Sequence, residues 1–160
     1  MNKNLIIFYS LDGNTKFIAE YIAFQIGADL LQLQPIKGIS NIGFMKYLRG
    51  GRQVLMKNKP ELQSRDIDPN DYEKIFIGTP VRAYNYAPAL RTFFDKVVLK
   101  NKKIALFCCH EGGKGKTLEN MEEILKGNEI IGKIDFFAPL KKDKEEQVKK
   151  LNQRLSNNFS

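Results

Sequence analysis

Three short stretches of this chain hold residues whose types and spacing could do chemistry. The first is Ser10-Leu-Asp-Gly-Asn-Thr15-Lys16, just after an apolar run. It offers the Ser10 hydroxyl, a glycine and an asparagine (Gly13 and Asn14) that tolerate unusual backbone angles, and Thr15 at the start of a helical pattern. Successive backbone amides at a helix N-terminus cradle an anion, and Ser10, Asn14 and Thr15 can add side-chain hydrogen bonds. A P-loop lysine is absent, which favours a monophosphate over a triphosphate with magnesium. The same residues also make a good turn and helix cap without any ligand. Taken alone, the stretch leaves both readings open.

The second stretch is Gly78-Thr-Pro-Val-Arg-Ala-Tyr-Asn-Tyr-Ala-Pro88. Two prolines stiffen it, and Tyr84 and Tyr86 offer flat apolar faces with polar tips, a wall for an aromatic ring system or a closure for the edge of the core. The third is Cys108-Cys-His-Glu-Gly-Gly-Lys-Gly-Lys-Thr117. His110 is the only histidine. It could transfer a proton, although a backbone contact with an idle side chain is the simpler expectation, and no residue is assigned as catalytic. One histidine and two adjacent cysteines lack the spacing of metal ligands. In an extended strand Cys108 and Cys109 point to opposite faces, so reduced thiols are expected rather than a redox pair.

The elements that position these stretches follow from the apolar pattern. Asn4-LIIFY, Lys74-IFIG, Lys103-IALFCC and Lys133-IDFFAP each set a polar residue before a continuous apolar run, as strands of a parallel sheet covered on both faces require. Leu30-LQLQ alternates like an edge strand. Helical patterns run from Thr15 to Ile26, Pro88 to Leu99 and Thr117 to Leu125, and a last amphipathic helix carries Val148, Leu151 and Leu155. A weaker helix is expected between Ile42 and Lys57, interrupted by Gly50-Gly51. Strands and helices thus alternate through 160 residues without repeat or linker. With right-handed crossovers this is one doubly wound α/β domain, residues 1–160, in which ligands bind at the carboxyl ends of the strands.

Together the stretches resemble the flavodoxin family. Ser10-x-x-Gly13-Asn14-Thr15 resembles its phosphate loop, Gly78-Thr79-Pro80-Val81 with the aromatic loop and Ala87-Pro88 resembles its first isoalloxazine loop, and Cys108 to Thr117 resembles the second. The resemblance implies a three-layer fold around a five-stranded parallel sheet of order 2-1-3-4-5, with loops after strands one, three and four around one FMN. Implied cofactor-binding residues are Ser10, Leu11, Asp12, Gly13, Asn14 and Thr15 for the phosphate. For the ring they are Thr79, Pro80, Val81, Arg82, Tyr84, Asn85 and Tyr86, with His110, Gly112, Gly113, Lys114 and Gly115. The chain departs from the family at Asp12, where a hydroxyl residue is usual; a carboxylate repels phosphate, so Asp12 is expected to turn outward and contribute only its amide. It departs again at Arg82, where an aromatic residue is common, so stacking falls to Tyr84, Tyr86, His110 or the Arg82 guanidinium plane.

Function is expected to be electron transfer through non-covalent FMN, the alternative being an FMN-dependent NAD(P)H:quinone reductase. A net charge of +8 is unlike the acidic electron carriers of the family and suggests an acidic redox partner protein. The set Lys46, Arg49, Arg52, Lys57 and Lys59 could dock it or simply be solvated. Nucleic acid is disfavoured as a partner because the charges are dispersed and no binding motif accompanies them. A receiver-type signalling domain is disfavoured because Gly78-Thr79-Pro80 stands where its aspartate should. The apolar run near the N-terminus is too short for a signal peptide or a membrane span, so a cytoplasmic monomer or weak dimer is expected.

Overall fold

Each dense apolar run becomes a central strand because both faces of the sheet are covered by helices. The computed structural model describes residues 3–36 and 59–158. In chain order these form β1 (Asn4–Phe8), α1 (Asn14–Ile26), β2 (Asp29–Gln32), β3 (Lys74–Arg82), β4 (Asn85–Tyr86), α2 (Pro88–Lys96), β5 (Lys103–His110), α3 (Thr117–Ile124), β6 (Glu129–Phe137) and α4 (Lys144–Asn158). Parallel pairing gives the order β2-β1-β3-β5-β6, the expected 2-1-3-4-5 once the short strand β4 is set aside. The expected helix between Ile42 and Lys57 lies outside the described residues, as do Lys46, Arg49, Arg52 and Lys57, while Lys59 is ion-paired with Asp95.

Alternation along the strands sorts the core into two layers. Leu5, Ile7, Ile75, Ile77, Ile104, Leu106 and Cys108 pack against Leu90 and Phe93 of α2 and Leu118 and Met121 of α3. Ile6, Phe8, Phe76, Phe107 and Cys109 pack against Ile18 and Ile22 of α1 and Leu151 and Leu155 of α4. The two cysteines therefore lie in opposite layers, as period-two alternation demands. Burial in apolar surroundings raises both thiol pKa values, that of Cys108 to about 12, so neither is a ready nucleophile. At Gly78, a Cβ would fall 2.1 Å from the Phe107 ring. The glycine that opens the second stretch thus has a packing reason of its own.

Two boundaries differ from the sequence expectation. The stretch read as one loop after Gly78 is a hairpin: β3 continues to Arg82, and β4 returns with Val81 opposite Tyr86 and Arg82 opposite Asn85. Its two turn residues, Ala83 (φ 49) and Tyr84 (φ 60), are left-handed, as the primed hairpin turns require. Neither is Gly or Asn, so the usual sequence signal was missing. β6 begins at Glu129, earlier than Lys133, with a register shift against β5 between Ile104 and Ala105. No helix among the described residues is long and apolar enough to cross a membrane.

Candidate functional site

At the carboxyl ends of β1, β3 and β5 the chain leaves a cavity of about 440 Å³. Its floor and walls come from all three stretches that the sequence singles out. Leu11, Asp12 and Asn14 line one side, Val81, Arg82 and Tyr84 another, and His110, Gly112 and Gly113 the third. Ala83, Cys109, Glu111 and Lys141 complete the lining.

The first stretch turns into α1 through Gly13, whose φ of 95° is the reason a glycine serves there. No side chain caps at Gly13 itself. Instead Asp12 Oδ1 accepts the Asn14 amide (3.1 Å) and Ser10 Oγ accepts the Lys16 amide (3.1 Å). Asp12 therefore does not turn away: its carboxylate occupies a first-turn amide, the kind of position an anion takes at a helix N-terminus. The Asn14 carboxamide reaches across the chain to accept the Leu140 amide (2.9 Å). Thr15 is fully buried; among the described residues its hydroxyl completes no hydrogen bond of good geometry, although it lies close enough to the Cys109 thiol to lower that group's pKa against its burial.

Several residues expected at the ring have structural partners of their own and stand outside the cavity lining. Thr79 Oγ1 donates to Pro80 O (2.8 Å) and accepts the Ala87 amide (2.9 Å), fastening the hairpin to the start of α2. Pro80 lies in the β3–β5 ladder opposite Cys109. Asn85 is buried, its Oδ1 accepting from Tyr86 N (2.8 Å) and Asn120 Nδ2 (3.1 Å). Tyr86 belongs to the core, edge-on to Phe94 at 5.4 Å with the Arg91 guanidinium over its ring. Tyr84, by contrast, is 62% exposed at the cavity. The tyrosine pair thus splits into one wall residue and one core residue.

Gly115 makes the close contact between the second and third stretches, since a Cβ there would lie 2.6 Å from Tyr84 Cβ. Thr117 Oγ1 donates to Lys114 O (2.6 Å) and closes the same loop. A Cβ at Gly112 or Gly113 would meet no protein atom within 4 Å, so the backbone there is open to a ligand.

Two basic side chains dominate the electrostatics. Among the described residues Arg82 Nη1 donates only to its own neighbour's carbonyl, Val81 O (2.9 Å), and its buried Nε has no partner. Burial lowers the guanidinium pKa against the opposing charges of Asp12, Tyr9 and Glu111, and among the described residues Arg82 forms no ion pair. His110 is not idle, because its Nε2 is 2.9 Å from Asp135 Oδ2, while its buried Nδ1 has no partner among the described residues. Burial alone would raise the Asp135 pKa, but the His110 hydrogen bond and the charges of Lys150 and Lys114 outweigh it and hold the carboxyl below its ordinary range. The carboxylate thus orients the imidazole through Nε2 and leaves Nδ1 as the ring nitrogen free to meet a ligand.

Sequence reasoning missed Asp135, Glu111 and Lys141. Lys141 Nζ reaches Glu111 Oε1 (2.9 Å) beside the cavity, although its run of charges reads as a solvated helix start. The available signal was topological, since the loop after β6 leaves the sheet at the same edge as the three loops already singled out.

This chain belongs to the flavodoxin family, whose sequence profile it matches over residues 3–135. It is similar to a flavoprotein of Lactobacillus acidophilus solved in complex with FMN, with 27% identity and a TM-score of 0.71 over 93% of this chain and 98% of that one. A candidate flavoprotein from Bacteroides eggerthii shares the fold at 20% identity and a TM-score of 0.76, covering 94% of this chain and 96% of the other. An FMN-dependent NADH:quinone oxidoreductase of Mycoplasmoides gallisepticum is 21% identical over 131 residues, or 78% of this chain. The chain spans 66% of that relative's length.

The residues present fit the flavin mononucleotide that the family implies. A buried unpartnered hydroxyl stands at the phosphate loop, open glycine backbone faces the cavity, and two buried nitrogens at its wall await acceptors or donors.

Proposed function

We propose that this protein carries electrons on one non-covalently bound FMN, held where β1, β3 and β5 end. The observation behind the reading is the gathering of unpartnered buried atoms, Thr15 Oγ1, Arg82 Nε and His110 Nδ1, at that end of the sheet. Leaving each such atom unsatisfied costs about 1–3 kcal/mol, so a polar ligand is the natural partner of all three.

The cofactor is FMN, which when bound supplies both one-electron and two-electron chemistry. The first turn of α1 and the Thr15 hydroxyl receive the phosphate, with the amides that Asp12 and Ser10 otherwise cap available by displacement. Tyr84 presents its ring at the cavity mouth, and Gly112 and Gly113 expose backbone to the polar edge of the flavin. The partner is a redox protein, and a chain of net charge +8 favours an acidic one. Purification tests the reading simply: the protein should hold FMN at one per chain and release it on unfolding. A colourless protein that takes up no added FMN would end it.

A second reading is direct reduction of a quinone by NAD(P)H. The oxidoreductase relative favours it, and the exposed Tyr84 leaves the mouth of the cavity approachable. Steady-state NADH and NADPH oxidation with a soluble quinone separates the two. A carrier turns over only when a separate reductase is supplied, whereas rapid turnover by the isolated chain selects the enzyme.

A further inference from the structure

A guanidinium drawn partly out of water without an ion pair is costly, because desolvation penalises its charge. Among the described residues Arg82 is such a group. Its buried Nε has no partner among the described residues, its Nη1 bonds only Val81 O among them, and Asp12 and Glu111 act on it without pairing. The β3–β5 ladder ends where Pro80 pairs with Cys109, and His110 and Arg82 both leave their strands just beyond that point. His110 also carries a buried nitrogen without a partner, and Asp135 fixes which nitrogen that is. Both side chains line the same cavity.

From these positions we propose that Arg82 and His110 bracket the flavin ring and that the Arg82 cation binds the reduced ring more tightly than the oxidised one, with Asp135 as a positioning residue for His110. The inference rests on the FMN reading above. Two electrons and one proton turn the neutral isoalloxazine into a ring of single negative charge, so a cation beside it favours the reduced state. The phosphate is a poorer match for this bracket. Its charge is the same in both redox states, and the first turn of α1 with Thr15 already provides for it. The bracket sets this protein apart from acidic carriers, whose negative surroundings oppose the reduced anion.

The test compares the wild type with Arg82→Met, Arg82→Lys and His110→Asn, each loaded with FMN and with riboflavin. Two quantities are read: the dissociation constant of the oxidised flavin and the two-electron midpoint potential of the bound flavin. Arg82→Met should cut the preference for reduced over oxidised flavin about tenfold, a fall of ~30 mV. Arg82→Lys should retain part of the preference, and His110→Asn should lose a smaller part than Arg82→Met. Affinity for oxidised flavin should also fall, but by a smaller factor than affinity for reduced flavin, and riboflavin should follow the same pattern as FMN. Should Arg82→Met fail to fold, Arg82→Gln takes its place and decides, with a potential unchanged within error overturning the proposal. If Arg82→Met weakens both redox states of FMN equally and leaves riboflavin unaffected, Arg82 is a phosphate ligand and the bracket is wrong. A wild type that binds no FMN in either state would instead bring down the FMN reading itself.

Discussion

Asn14 and Leu140 lie 126 positions apart, yet the Leu140 amide donates to Asn14 Oδ1 at 2.9 Å. The bond pins the loop after β6 onto the first turn of α1. Leu140 reinforces it, since its Cδ1 would sit 3.3 Å from a Cβ at Gly13. A residue that looks like a phosphate ligand in the sequence is thus also a clasp between the two ends of the fold.

Asn14→Ala should therefore lower the stability of the flavin-free protein by about 1–2 kcal/mol, the scale of a lost hydrogen bond with a half-buried amide left unpaired. Asn14→Asp keeps the acceptor and should lose less. Urea unfolding of the apoprotein checks this, and a purely ligand-binding role predicts no change at all.

The two tyrosines of the hairpin should separate cleanly. Tyr86 is buried against Phe94, so Tyr86→Ala should cost about 3–5 kcal/mol in stability. Tyr84 is exposed at the cavity, so Tyr84→Ala should leave stability within ~0.5 kcal/mol and instead brighten the fluorescence of bound flavin. Thermal melts and flavin emission, measured on both variants, read the two effects independently.

Asp135 gives the fold a pH-dependent contribution. Its carboxyl pKa is depressed in the folded state, so the stabilisation is present above the unfolded value of about 3.9 and is lost as pH falls through the folded value. Asp135→Asn should accordingly be less stable than wild type at pH 6, with the gap closing as pH drops below about 4. Equal gaps at pH 6 and pH 3 would show that the pairing with His110, Lys150 and Lys114 does not stabilise the native state.

Much of this was legible in the chain because continuous apolar runs and alternating helical stripes have few other packings. The layers that separate Cys108 from Cys109 followed from period-two alternation alone. What escaped was decided by tertiary contact. The Ala83–Tyr84 turn uses left-handed angles at residues that seldom adopt them, and the close approach of Gly115 to Tyr84 helps define that tip. Asp12 was expected to avoid the phosphate loop on electrostatic grounds, but in the folded chain the unsatisfied Asn14 amide is the stronger local demand. Asp135 gave no signal because its role depends on the β5–β6 register, which sets Cys108 opposite it and brings His110 within 2.9 Å.

The central claim is that the first turn of α1 and Thr15 hold the phosphate of FMN. Calorimetric titration of the apoprotein with FMN and with riboflavin, which lacks that phosphate, tests it most directly. The account predicts one FMN per chain, bound at least ~100-fold more tightly than riboflavin, the ~3 kcal/mol expected of a few charge-assisted hydrogen bonds. Thr15→Ala should remove a large part of that difference. Equal affinity for the two flavins, or an FMN preference untouched by Thr15→Ala, would contradict it.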